Sequence, residues 1–170
     1  MPFKRLFRED PEVALAPRAA WTKSFAGFLG FSAVSRAFEI NGRTDEEYEW
    51  IWNAPIYEKP FWRSPSGYEI RTVDPDFEPP TVVLLAPDGS RCGFYSGGQL
   101  WVDPEHRGQG LGAELVLALT EALGYSITAV NEGLGLSPEG YRAHFKAWRF
   151  AVERAKEQGL IPESSVQRVY

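Results

Sequence analysis

The segment from Leu100 to Leu115 constrains this chain more than any other. An apolar, strand-like run (Leu100, Trp101, Val102) ends in Asp103-Pro104. The chain then crosses a loop punctuated by Gly108, Gly110 and Gly112 and enters a helical pattern carried by Leu115, Val116 and Leu119. Glycines at this spacing remove side chains where backbone N–H groups must approach an anion. The helix that follows aims its unpaired first-turn donors and the positive end of its dipole at the same point. The segment is therefore read as a cradle for a diphosphate-bearing cofactor.

These residues resemble motif A of the GNAT superfamily of N-acyltransferases, whose Arg/Gln-x-x-Gly-x-Gly/Ala pattern is filled by Arg107, Gly110 and Gly112, with Ala113 following. The flanks agree, since a hydrophobic strand ending in Val102-Asp103-Pro104 precedes the motif and an amphipathic helix follows it. The likeness covers roughly residues 81–123. It implies binding of acetyl-CoA or a related acyl-CoA and acyl transfer to an amine. On that likeness the cofactor-binding set is Leu100, Trp101, Val102, Arg107, Gly108, Gln109, Gly110, Leu111, Gly112, Ala113 and Asn131, with the backbone of residues 100–102 pairing the pantetheine arm as an added strand.

A loose dinucleotide fingerprint is also present, because Gly108, Gly110 and Ala113 are followed by Glu132 about 20 residues on. Two features weigh against it. Pro104, Glu105, His106 and Arg107 separate the strand from the glycine turn, and no further βαβ units follow.

The rest of the chain is read as one domain over residues 1–170, with residues 1–80 a divergent N-terminal part. The fold class is α/β (α+β): a GNAT-like, mixed but mostly antiparallel sheet flanked by helices. Tyr68–Val73 alternates, Thr81–Ala86 is a continuous apolar run, and Pro87-Asp88-Gly89-Ser90 is turn chemistry, so a hairpin to Arg91–Tyr95 is expected. Ser96-Gly97-Gly98 turns the chain back into Gln99–Val102. Helices are expected over 21–38, from Thr44 to before Pro55, over 112–123, and from the Ser137 cap to Gly159, the last with a stripe of Tyr141, Phe145, Trp148, Val152 and Ala155. A strand over 125–130, parallel to the motif strand, and one last strand over 165–170 complete the pattern. About ten residues after the long helix are too few for the family's closing strand pair, so the acceptor wall is left to the N-terminal region, to a second subunit in a homodimer, or to an open cleft.

A net charge of −5 argues against nonspecific nucleic-acid or membrane partners. One cysteine and no zinc-ligand spacing point to a reducing compartment, the cytoplasm, and to no metal. No secretory leader is read at the N-terminus.

Acyl transfer by direct attack needs a fixed thioester, a neutral amine and a proton for the leaving thiolate. The family likeness assigns that proton to a tyrosine after the fifth strand, here Tyr141, although the residue also lies on the apolar stripe of its helix. His144 reads as a solvent-facing or hydrogen-bonded helix residue with a secondary claim to proton transfer. Arg107 reads equally as a phosphate ligand, a partner of loop carbonyls, or half of a structural ion pair. The acceptor is an unspecified amine on a small molecule or a protein. The alternative function is a noncatalytic acyl-CoA-binding or protein-interaction module on the same scaffold.

Overall fold

The computed structural model describes residues 25, 28, 46–74, 76–77, 79–123, 137–157 and 159. Five strands, β1 (Trp62–Arg63), β2 (Glu69–Thr72), β3 (Thr81–Leu85), β4 (Arg91–Ser96) and β5 (Gln99–Val102), form one antiparallel sheet in the order β1-β2-β3-β4-β5. Two helices, α1 (Leu111–Leu123) and α2 (Pro138–Glu157), pack against each other and α1 against the sheet.

The hairpins follow from their turn residues. Between β3 and β4, Asp88 Oδ1 accepts from Ser90 N at 2.9 Å and Ser90 Oγ at 2.6 Å, and Gly89 takes φ +86. Between β4 and β5, Gly97 and Gly98 both have positive φ, +54 and +91, and Ser96 pairs directly with Gln99. That is the two-residue turn whose twist matches the strands it joins.

Every residue of β3 is buried because both faces of the sheet are covered. Ile70, Val82, Leu84, Cys92, Tyr95 and Val102 join Phe25, Phe28 and the helices in the larger core. Val73, Val83, Leu85 and Phe94 meet Ile51 and Ala54 on the other face, where Tyr48, Trp50, Trp52, Ile56 and Trp101 pack around them. Cys92 and Tyr95 lie an odd number of residues apart, yet they share a face. The β3–β4 register supplies the reason: Leu84 pairs with Gly93 and Leu85 with Arg91, so one extra residue is inserted and the alternation is reset. At this bulge a Cβ on Gly93 would stand 2.7 Å from Trp101 O, a distance only glycine tolerates.

The segment before Pro55 departs from expectation. It holds a single 3₁₀ turn, Glu49–Trp52, rather than a helix of several turns. Tyr48, Trp50, Ile51, Trp52, Ala54 and Ile56 follow no 3.6-residue stripe, and packing all of them on one flat sheet face requires a more extended path. On α2 the buried line is His144, Ala147, Trp148, Ala151, Val152 and Ala155, with Tyr141 and Phe145 on its flank. The small Ala147 and Ala151 allow close approach of a neighbour, and the large aromatics fill the margin. The expected strands over 125–130 and 165–170, and nearly all of the helix over 21–38, lie outside the described residues.

Candidate functional site

The glycine loop is built from the end of β5. Asp103 N donates to Cys92 O at 2.7 Å, prolonging the β4 pairing by one bond. Pro104–His106 form a 3₁₀ turn, closed by His106 N to Asp103 O at 2.9 Å and Arg107 N to Pro104 O at 3.3 Å. The next two turns need left-handed backbone, supplied by Gly108 at φ +83 and Gly110 at φ +77. Gly110 O accepts the first bond of α1, from Glu114 N at 3.2 Å. The amides of Leu111, Gly112 and Ala113 therefore head a helix whose capping residue has no side chain to occupy them. Gly112 serves a separate need, since a Cβ there would stand 3.4 Å from Leu100 Cδ2 and 3.6 Å from Ala143 Cβ, where β5, α1 and α2 converge.

Side chains brace this loop. Arg107 Nε donates to Val102 O at 2.6 Å, and its guanidinium lies 4.7 Å from the centre of the Trp101 ring. Of the roles open to Arg107 in the sequence, the loop-carbonyl contact is the one observed. Trp101 Nε1 in turn donates to Asp103 Oδ1 at 2.8 Å. From the turn between β1 and β2 comes an anchor that sequence reading missed. The buried Tyr68 places its hydroxyl 2.9 Å from His106 Nδ1 and 3.3 Å from Gln109 Nε2. The Gln109 amide nitrogen can only donate, so the Tyr68 hydroxyl accepts from it and donates to His106 Nδ1, which places the proton of the neutral His106 tautomer on Nε2.

A cleft of about 580 Å³ opens beside these elements. Its wall contains Leu100, Trp101 and Val102 from β5, and Arg107, Gly108, Gly110, Leu111 and Gly112 from the loop and the start of α1. Pro104 and His106 complete that side, and Ser137, Glu139 and Gly140 from the first turn of α2 form the other. Eight of the expected cofactor residues thus share one concave surface. Gln109 is exposed outside the wall and bonds Tyr68, and Ala113 is buried. Asn131 lies outside the described residues.

The sequence does not announce the first turn of α2 as a wall, although it shows the cap: Gly140 N donates to Ser137 Oγ at 3.0 Å. One helical turn on, His144 is fully buried, not solvent-facing. Its Nδ1 lies 2.6 Å from Gly140 O and its Nε2 2.6 Å from the hydroxyl of buried Tyr95. The carbonyl can only accept, so Nδ1 carries the proton and Tyr95 donates to Nε2. Burial lowers the pKa of His144 to about 4, against a smaller opposing pull from the Gly140 carbonyl. Burial likewise pushes the Tyr95 phenol well above its ordinary value. Both groups are neutral at physiological pH and pin the wall of α2 to β4.

Tyr141 follows Gly140 but is not part of the cleft wall. Its half-buried ring meets Phe25 edge-on, 5.4 Å between centroids at 81°. Trp50 and Trp52 lie against the smaller core and Trp62 against the larger. Among the described residues no group of three or more His, Cys, Asp or Glu is placed to hold a metal ion, and no helix is long and apolar enough to cross a membrane.

No curated protein and no solved structure matches the chain. A family model described as the acetyltransferase (GNAT) family matches residues 3–124, which reach from near the N-terminus through the sheet and the glycine loop to the end of α1. With the strand–loop–helix cradle in the middle of that span, the chain belongs to the acetyltransferase (GNAT) family.

Proposed function

We propose that the chain is an N-acyltransferase that moves an acetyl group from acetyl-CoA, or a related acyl group from its CoA thioester, to a primary amine by direct attack. The observation that carries this reading is the cleft itself, where a strand edge, a glycine loop and two helix N-termini face one volume of about 580 Å³. Such a volume suits a small-molecule cofactor. The amides heading α1 suit a diphosphate, and the left-handed glycines keep Cβ atoms out of its way.

In this reading Leu100, Trp101 and Val102 offer backbone groups to the pantetheine arm, and residues 107–113 hold the diphosphate with Asn131 as a further cofactor contact. The amine nitrogen attacks the thioester carbonyl, the C–S bond breaks, and the CoA thiolate takes a proton while the amine nitrogen loses one. Tyr141 is assigned as the donor to the thiolate. Since its ring packs on Phe25, that role requires only the hydroxyl to reach the thioester end of the cleft. The same packing keeps a second reading in play, a CoA-binding module without turnover.

Thiol release from acetyl-CoA, followed across polyamines, amino acids, aminoglycosides and lysine peptides, separates the two. Release that depends on an amine supports the transferase. CoA binding without release across the panel supports the module, and absence of CoA binding removes both.

A further inference from the structure

The exposed face of α2 brings a cation to the glycine loop that the sequence did not connect with it. A Cβ on Gly110 would stand 3.3 Å from Lys146 Nζ and 3.7 Å from its Cε, so the ammonium lies against the backbone at the turn where the α1 amides begin. Gly110 lines the cleft. Two cations flank the Phe150 ring on this face, Lys146 Nζ and Arg154 Cζ, each 5.6 Å from its centre. They differ in their partners. Arg154 donates to Glu114 Oε1 at 2.8 Å and so neutralises the carboxylate in the first turn of α1. Among the described residues Lys146 has no carboxylate partner. The turn at Gly110 therefore has an ammonium beside it, while Glu114 in the first turn of α1 is already paired.

We propose that Lys146 is a ligand of the cofactor's diphosphate, closing from α2 a site whose other wall is the backbone amides of residues 108–113. The proposal rests on the CoA-binding reading above. An ammonium is suited to the task, being a compact charge on a flexible stem that can follow a phosphoryl oxygen without fixed fork geometry. It also gives position 110 a second reason to be glycine: besides its φ of +77, any side chain would displace the ammonium or shield it. Lys146 would further tie α2 to α1 through the ligand, so that cofactor binding and the packing of the two helices reinforce each other.

The test is calorimetric titration of wild type, Lys146→Met, Lys146→Arg and the control Arg149→Met with CoA, dephospho-CoA and pantetheine, with thermal melts to check folding. Arg149 is exposed on the same helix and, unlike Lys146, does not come within 4 Å of a Cβ on Gly110, so its loss removes an equal charge without removing that contact. The expected result is an affinity loss of about ten-fold for Lys146→Met, the size of one charge-assisted hydrogen bond. It should be equal for CoA and dephospho-CoA, absent for pantetheine, largely restored by Lys146→Arg and absent in Arg149→Met. Unchanged CoA affinity in Lys146→Met overturns the assignment while leaving the CoA site intact. A loss confined to CoA over dephospho-CoA overturns it by placing the contact on the 3′-phosphate. An equal loss with pantetheine overturns it by showing a packing effect. Failure of wild type to bind CoA at all overturns the proposed function, and this inference with it.

Discussion

The neutral His144 makes stability depend on pH in a window set by burial. Its pKa is about 4 in the folded protein against 6.5 for an ordinary histidine. Above pH 6.5 the ring is uncharged in both states and contributes no pH dependence. Between pH 6.5 and 4 the unfolded chain takes up a proton that the folded one refuses, so stability falls as the solution is acidified, and below about pH 4 the effect levels off. From pH 7.5 to 4.5 the loss from this group comes to about 2–3 kcal/mol, using 1.36 kcal/mol per pKa unit. Other groups titrate over the same range, so the comparison is with His144→Gln, whose amide can accept from Tyr95 and donate to the Gly140 carbonyl without titrating. Urea denaturation followed by tryptophan fluorescence at both pH values should show wild type losing about 2–3 kcal/mol more than the variant. Parallel losses, or an NMR titration placing His144 near its ordinary pKa, would refute the burial argument.

Three further outcomes follow from contacts described above. Tyr68→Phe removes the acceptor of Gln109 and the donor to His106 Nδ1, and should weaken CoA binding about three- to ten-fold, as loss of one or two neutral hydrogen bonds implies, with kcat little changed. Equal affinity in a titration would show that the loop holds its shape without the clasp. Gly93→Ala forces a Cβ to within 2.7 Å of Trp101 O and should cost about 1–3 kcal/mol as β5 is pushed from β4; a melting temperature equal to wild type would contradict the bulge geometry. Tyr141→Phe keeps the ring on Phe25 and should leave the melting temperature near wild type while thiol release falls by about 10²-fold or more, and undiminished turnover would return Tyr141 to a packing role.

Where a short stretch of sequence dictates its own geometry, the fold was legible. Asp88, Gly89 and Ser90, the Gly97-Gly98 pair and the Ser137 cap each act within a few residues, and they marked the strands and helix starts to within a residue or two. The glycine loop belongs to the same class, because positive φ at 108 and 110 and an open helix start are local demands. Features that depend on distant partners were not legible. Tyr68 lies 38 residues from His106 and Tyr95 lies 49 from His144, and nothing local signals either bond. His144 heads the buried line of α2, which continues through Ala147, Trp148 and Ala151, whereas a stripe drawn from hydrophobicity starts at Tyr141 and Phe145 beside it. The wall from the first turn of α2 and the position of Lys146 likewise arise from helix-against-helix packing. The 3₁₀ turn at Glu49–Trp52 shows tertiary burial overriding a good capping pattern.

The most direct measurement is titration of the isotopically labelled protein with CoA, following backbone amide resonances by NMR. The main-chain donors of Gly108, Gly110, Leu111, Gly112 and Ala113 should shift together and saturably, with smaller changes at Trp101 and Val102. Resonances at those positions that stay fixed at millimolar CoA would contradict the account.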